Sequence, residues 1–177
     1  MVAKKGSEAV SKNPTTMELE SDREIVIART FNGPARIVFD AFTKPEFVKR
    51  WWAPKSLGDS VVSIDGDVRV GGKYRYVLRA SGGNPVAFSG QYTEVAPPSR
   101  LVYTQAFEPT ASGAPPGAGD LVITVTFDER DGKTRLVERI SCPSKEVRDM
   151  VLASGMEHGM RETMDQLDEL VASLATL

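Results

Sequence analysis

The sequence predicts an α+β fold, an antiparallel sheet of about seven strands curled around one long C-terminal helix. Three observations predict it. Residues 61–141 alternate apolar and polar side chains between short turn signals, the pattern of a strand meander. Met156, Met160, Met164, Leu167, Val171 and Leu174 step by three and four, the stripe of one helix with an apolar face. Two short helical patterns, each opened by a proline, follow the first strand.

In chain order, Met1–Ser21 is polar, rich in small residues and without periodicity, and reads as a disordered tail ahead of a single domain over 22–177. "REIVIARTF", from Arg23 to Phe31, is β-branched and partly alternating, and is the first strand. Pro34 opens a helix carrying Ile37, Val38, Ala41 and Phe42. Pro45 opens a second carrying Phe47, Val48, Trp51 and Trp52, and Pro54 ends it.

The strands then come in turn. Tyr74, Tyr76 and Leu78 share one face against Arg75, Val77 and Arg79 on the other. Val86, Phe88, Gly90 and Tyr92 form a second set, and Leu101, Tyr103, Gln105 and Phe107 a third. Leu121, Ile123, Val125 and Phe127, then Leu136, Glu138 and Ile140, complete the sheet. Gly82-Gly83, Pro97-Pro98 and Asp131-Gly132 mark hairpins. The Glu108–Asp120 connection is rich in Pro, Gly and Ala and long for a hairpin; it is either a tolerated insertion or a lid. Gly155 and Gly159 fall where two C-terminal helical segments meet, so a bend or a close backbone approach is expected there.

Composition narrows the function classes. The net charge is −2, with no cluster of Lys and Arg, which argues against a nucleic-acid surface. No run approaches the ~18 apolar residues of a membrane span. Lys4 and Lys5 precede no apolar stretch of a secretory signal, so the cytoplasm is the expected compartment. One cysteine and one histidine cannot build a structural zinc site, and Cys142 reads as a small buried residue. The aspartates of "SIDGDVRVGG" lack the further oxygen ligands of a calcium loop. His158 falls nearly opposite the methionine stripe, which points it to solvent rather than to acid–base work. No cofactor, metal or catalytic residue is expected.

Several segments resemble the START-like, helix-grip (SRPBCC) superfamily. They are "VFDAFTKPEFVKRWWAP", "GDVRVGGKYRYVLRA", "GQYTEVAPPSRLVYT", "VTFDERDGKTRL" and "SGMEHGM". Within it they are most similar to the bacterial branch named after the activator of the heat-shock-chaperone ATPase. The resemblance runs from about Arg23 to Leu174 and implies a helix-grip fold with a cavity between the sheet and the C-terminal helix. It implies a small apolar or amphipathic ligand there, or a co-chaperone-like interaction with a protein partner. The chaperone activator carries a further N-terminal domain, and only some twenty residues precede the matching part here, which favours the ligand. A homodimer is compatible with either.

The candidate binding residues are Trp51, Trp52, Tyr74, Tyr76, Arg79, Phe88, Tyr92, Tyr103, Glu138, Met156 and Met160. Adjacent tryptophans on a helix diverge by about 100°, so one is expected in the core and the other at the cavity, unless both only staple the helices to the sheet. Glu138 stands where alternation calls for an apolar residue. It is expected to face the cavity, with Arg75, Arg79 or Arg139 as partner, or else to mark an outward strand end or a structural ion pair at the cavity mouth. Arg79 enters through the resemblance, which places an arginine there. The methionines offer an adaptable lining and the tyrosines a few polar anchors.

Overall fold

The computed structural model describes residues 13–109 and 120–177. Its elements are β1 (Thr16–Glu18), β2 (Glu24–Phe31), α1 (Ala35–Thr43), α2 (Pro45–Trp51), a 3₁₀ turn at Lys55–Leu57, β3 (Ser60–Gly66), β4 (Lys73–Arg79), β5 (Pro85–Ala96), β6 (Arg100–Pro109), β7 (Leu121–Arg130), β8 (Lys133–Ser141), α3 (Lys145–Ala153) and α4 (Met156–Ala175). The eight strands form one antiparallel sheet in the order β1-β2-β8-β7-β6-β5-β4-β3. Consecutive strands from β3 to β8 are neighbours, as short hairpin connections require. The sheet wraps the apolar face of α4, which is the helix-grip arrangement.

One correction concerns the N-terminal end. Residues 13–21 were expected in an irregular tail. Instead Met17 of β1 pairs with Ile27, making an eighth strand, and Asn13 Nδ2 donates to the Thr30 carbonyl at 2.9 Å. The pairing satisfies backbone groups on the open edge of β2, a gain that side-chain periodicity does not register. Residues 1–12 lie outside the described residues, as does nearly all of the Glu108–Asp120 connection, including its reading as a lid.

Each helix starts for a local reason. The first turn of α1 has no side-chain cap of its own, and Glu129 Oε2 accepts from the Ala35 N–H at 2.8 Å instead. Pro45 occupies the first turn of α2. Ser144 caps α3 by accepting from the Val147 N–H. Between α3 and α4, Gly155 takes φ of 80°, a left-handed conformation that separates two helices where the sequence shows two segments. Asp131 and Gly132 both have positive φ, the geometry of a two-residue hairpin that joins β7 to β8.

The core joins Ile25, Ile27 and Phe31 of β2 and Val38 and Phe42 of α1 to Ile123, Val125 and Phe127 of β7. Leu136 and Ile140 of β8 and Met164, Leu167, Leu170 and Val171 of α4 close it. The buried part of the stripe is therefore the C-terminal half of α4. Met156 and Met160, in its first turns, are only half-buried. Cys142 is buried and free, as a small core residue should be.

Arg29 is the exception to the apolar core. It is 2% exposed, in the middle of β2. Its guanidinium reaches Asp165 at 2.6 Å and Asp168 at 3.2 Å on α4, and Nη1 donates to Thr15 Oγ1 at 3.0 Å. One buried cation thus ties the sheet, the long helix and the N-terminal segment together.

Candidate ligand site

The site begins at the paired tryptophans. Trp51, in the last turn of α2, is 2% exposed, and its Nε1–H donates to the Ala41 carbonyl at 2.9 Å. Its ring packs on Phe42 at 5.5 Å between centroids. Trp52 follows immediately but points elsewhere. It is half-buried and meets Tyr76 edge-to-face at 5.1 Å and Phe88 at 6.1 Å. Its Nε1–H is sealed from solvent and has no acceptor among the described residues. One indole is core and the other borders an interior space, so the angular divergence of neighbouring helical residues is put to use.

The corner that carries Trp52 is held from α4. Gln166 Nε2 donates to the carbonyls of Trp51 and Ala53, both at 2.9 Å, and its Oε1 accepts from the Lys55 N–H. Glu162 accepts from the Ser56 N–H at 2.7 Å and from the Ser56 hydroxyl. Gly159 sits under this corner, where a Cβ would come within 3.2 Å of Pro54.

The opposite wall is tyrosine. Tyr74 stands at the centre of a cluster, 5.1 Å from Tyr76, 5.6 Å from Tyr92 and 5.5 Å from Tyr103 between ring centroids. Its hydroxyl donates to the Thr104 carbonyl at 2.8 Å. Burial pushes all four phenols above their ordinary pKa, so they stay neutral. Gly90 makes the packing fit. A Cβ there would lie 1.8 Å from the Thr104 carbonyl oxygen and 2.9 Å from the Tyr74 ring. Gly90→Ala is therefore expected to cost about 1–3 kcal/mol by overpacking, read as a lower urea midpoint; an unchanged midpoint would show that β5 and β6 can separate freely.

These walls enclose a cavity of about 10 Å³, lined by Phe42, Thr43, Trp52, Tyr74, Tyr76, Tyr92, Leu101, Tyr103 and Gln105. That is room for one water-sized group. Of the eleven candidate residues, Trp52 and the four tyrosines line it. Trp51 lies behind it in the core. Phe88 stands beside Trp52 with its other side against Phe107. Met156 and Met160 pack at the start of α4, against the core but outside the lining. Gln105 and Thr43 were not singled out from sequence. Gln105 shares its strand face with Leu101 and Tyr103, and that alternation is the signal that identifies it.

Glu138 takes the inner face of β8, opposite Ile27 of β2 and Val125 of β7, both buried. The alternation reading is right in direction and wrong about partners. Arg75 pairs with Glu108 at 2.9 Å, and Arg139 bonds Glu20 and approaches Glu24 at 3.6 Å. Arg79 is exposed on the outward face of β4, removed from the interior, because it alternates with Tyr76 and Leu78. Glu138 has no hydrogen-bond partner among the described residues, and desolvation raises its pKa to about 7. His158 is exposed on α4, as its position off the stripe requires.

A family model described as Activator of Hsp90 ATPase homolog 1-like protein matches residues 32–172. The chain belongs to this family. Solved structures share the fold. A Staphylococcus epidermidis protein, 28% identical, has a TM-score of 0.74 and covers 89% of this chain and 94% of its own. A Chromobacterium violaceum protein, 27% identical, has a TM-score of 0.72 over 85% of this chain and 98% of its own. A Mycobacterium smegmatis protein, 24% identical, has a TM-score of 0.79 over 89% and 96%. Among curated proteins none matches the chain. Members of this START-like family commonly bind hydrophobic ligands. No helix among the described residues is long and apolar enough to cross a membrane.

Proposed function

We propose that the protein binds a small, mainly apolar molecule carrying a hydrogen-bonding group, in the space between the tyrosine wall and the Trp52 corner. The observation that carries this reading is the Trp52 Nε1–H, sealed from water beside a cavity and lacking an acceptor among the described residues. An orphaned buried donor costs about 1–3 kcal/mol, and a ligand oxygen removes that cost. The aromatic wall supplies dispersion and the tyrosine hydroxyls supply orientation. In the described conformation the cavity has room for one water-sized group, so admission of a larger ligand requires a wall to move. The half-buried Trp52, at the end of a short helix, is the wall that moves.

Having only two tryptophans makes the test direct. In an amide NMR titration with phenylethylene glycol, the Trp52 indole N–H signal is expected to shift while the Trp51 signal, already bonded to Ala41, stays. Trp52→Ala, if still folded by circular dichroism, should weaken binding at least about tenfold, the equivalent of one good hydrogen bond. Indole signals that both stay fixed, or binding undiminished in Trp52→Ala, would refute the reading.

A further inference from the structure

The interior electrostatics narrow the ligand class, an inference that rests on the binding reading above. The charged neighbours that act on the buried tyrosines are acidic: Glu138 bears on both Tyr74 and Tyr103, and Asp120 on Tyr74. Among the described residues neither Glu138 nor Asp120 forms an ion pair. Arg75 and Arg139 are engaged with Glu108 and Glu20, Arg29 with Asp165 and Asp168, and Arg161 with Glu157. The rings add to the same sign, because the face of an aromatic ring is negative and attracts a cation. Two of the lining hydroxyls do too, while those of Tyr92 and Tyr103 and the Gln105 amide keep protons to donate. Tyr74 gives its proton to the Thr104 carbonyl and Thr43 gives its proton to the Phe39 carbonyl at 2.7 Å, so both turn only lone pairs to the cavity they line.

We propose that the ligand carries a protonated primary amine, held among the tyrosine faces and hydroxyl lone pairs, with Glu138, on the inner face of β8 behind the lining and unpartnered among the described residues, as its charge partner. The cavity of about 10 Å³ admits one water-sized group. An –NH₃⁺ head has that size and a trimethylammonium head does not. Trp52 Nε1–H then addresses an oxygen on the body of the same ligand.

Three probes of one skeleton test this: phenylethanolamine, phenylethylene glycol and mandelate, which place an ammonium, a hydroxyl and a carboxylate at the same position. They are titrated against the full chain at about pH 8 and physiological ionic strength, where screening by salt suppresses the pull of the outer surface, with the Trp52 indole signal as readout. Phenylethanolamine is expected to bind at least tenfold tighter than the glycol, and mandelate weaker than both. Glu138→Gln should bring amine and glycol to equal affinity without weakening the glycol, and Glu138→Asp should keep most of the preference. An amine no better than the glycol in the wild type, or a preference that survives Glu138→Gln, overturns the amine assignment while leaving the cavity reading intact. A Trp52 signal unmoved by all three probes overturns both.

Discussion

Glu138→Gln should stabilise the folded chain by about 2–3 kcal/mol at about pH 8, and by less than about 1 kcal/mol near pH 5. The carboxyl has a folded-state pKa of about 7, raised by desolvation from an ordinary value of 4.5. Between those two values the folded state holds a proton that the unfolded chain has released. Stability therefore falls as pH rises through that window and levels off above it. Below about pH 5 the folded carboxyl is neutral, and glutamine in its place changes little. The full shift corresponds to about 3 kcal/mol, and no hydrogen bond is lost in exchange, because Glu138 makes none among the described residues. Urea denaturation of both forms at the two pH values measures the difference. An equal gain at both values, or a loss at about pH 8, would show that Glu138 has a partner when folded.

An uncompensated acid on an inner face is a standing cost, on the order of a fifth or more of a typical domain's stability. Gln, Leu or Met would remove it. Sites that sacrifice stability in this way are where function is expected. Under the amine proposal, the stability gain and the loss of amine preference on Glu138→Gln have one source, the unpaired negative charge of Glu138.

Much of this was legible in the sequence, for reasons that differ by element. The meander and α4 follow from period-two and period-3.6 patterns, which burial on one face imposes directly. Asp131-Gly132 announces a turn because both residues accept positive φ. Trp51 and Trp52 announce a corner because adjacent helical side chains diverge. Glu138 stood out because it interrupts an apolar row. Strand β1 was not legible. Three residues, Thr16–Glu18, are too few to display alternation, and the open edge of β2 recruits them through backbone hydrogen bonds. Arg79 faces outward, as its alternation with Tyr76 and Leu78 requires, although the resemblance places an arginine of the site at that position. The closed state of the cavity depends on how the four tyrosines and Trp52 interlock, and that is set by rotamers, on which sequence spacing is silent. Gln166 is a further case. Its hydrogen bonds to Trp51 and Ala53 span more than a hundred residues, and nothing in either segment signals the other.

The same long range hides the strongest polar clasp, and its removal gives the second large effect. Arg29→Ala should cost about 3–5 kcal/mol, the range for breaking a buried ion pair from one side. The loss has three sources. The cavity left by the side chain lies between β2 and α4. Thr15 loses a buried donor. Asp168, whose side chain is only 13% exposed, keeps a charge with nothing to answer it. Asp165 behaves differently, since its side chain is 51% exposed and water takes over from the guanidinium. Asp165→Asn should therefore cost less than about 1 kcal/mol, as exposed pairs do, and Asp168→Asn clearly more. A double-mutant cycle between Arg29→Ala and Asp168→Asn separates the charge from the cavity: once Arg29 is gone, neutralising Asp168 should restore stability rather than reduce it. If Arg29→Ala shifts the urea midpoint no more than Asp165→Asn does, the clasp is not what fastens α4. If the cycle shows the restoring sign, the helix that holds the Trp52 corner through Gln166 and Glu162 is itself held by Arg29, and a change at Arg29 should reach the ligand site through α4 without touching it.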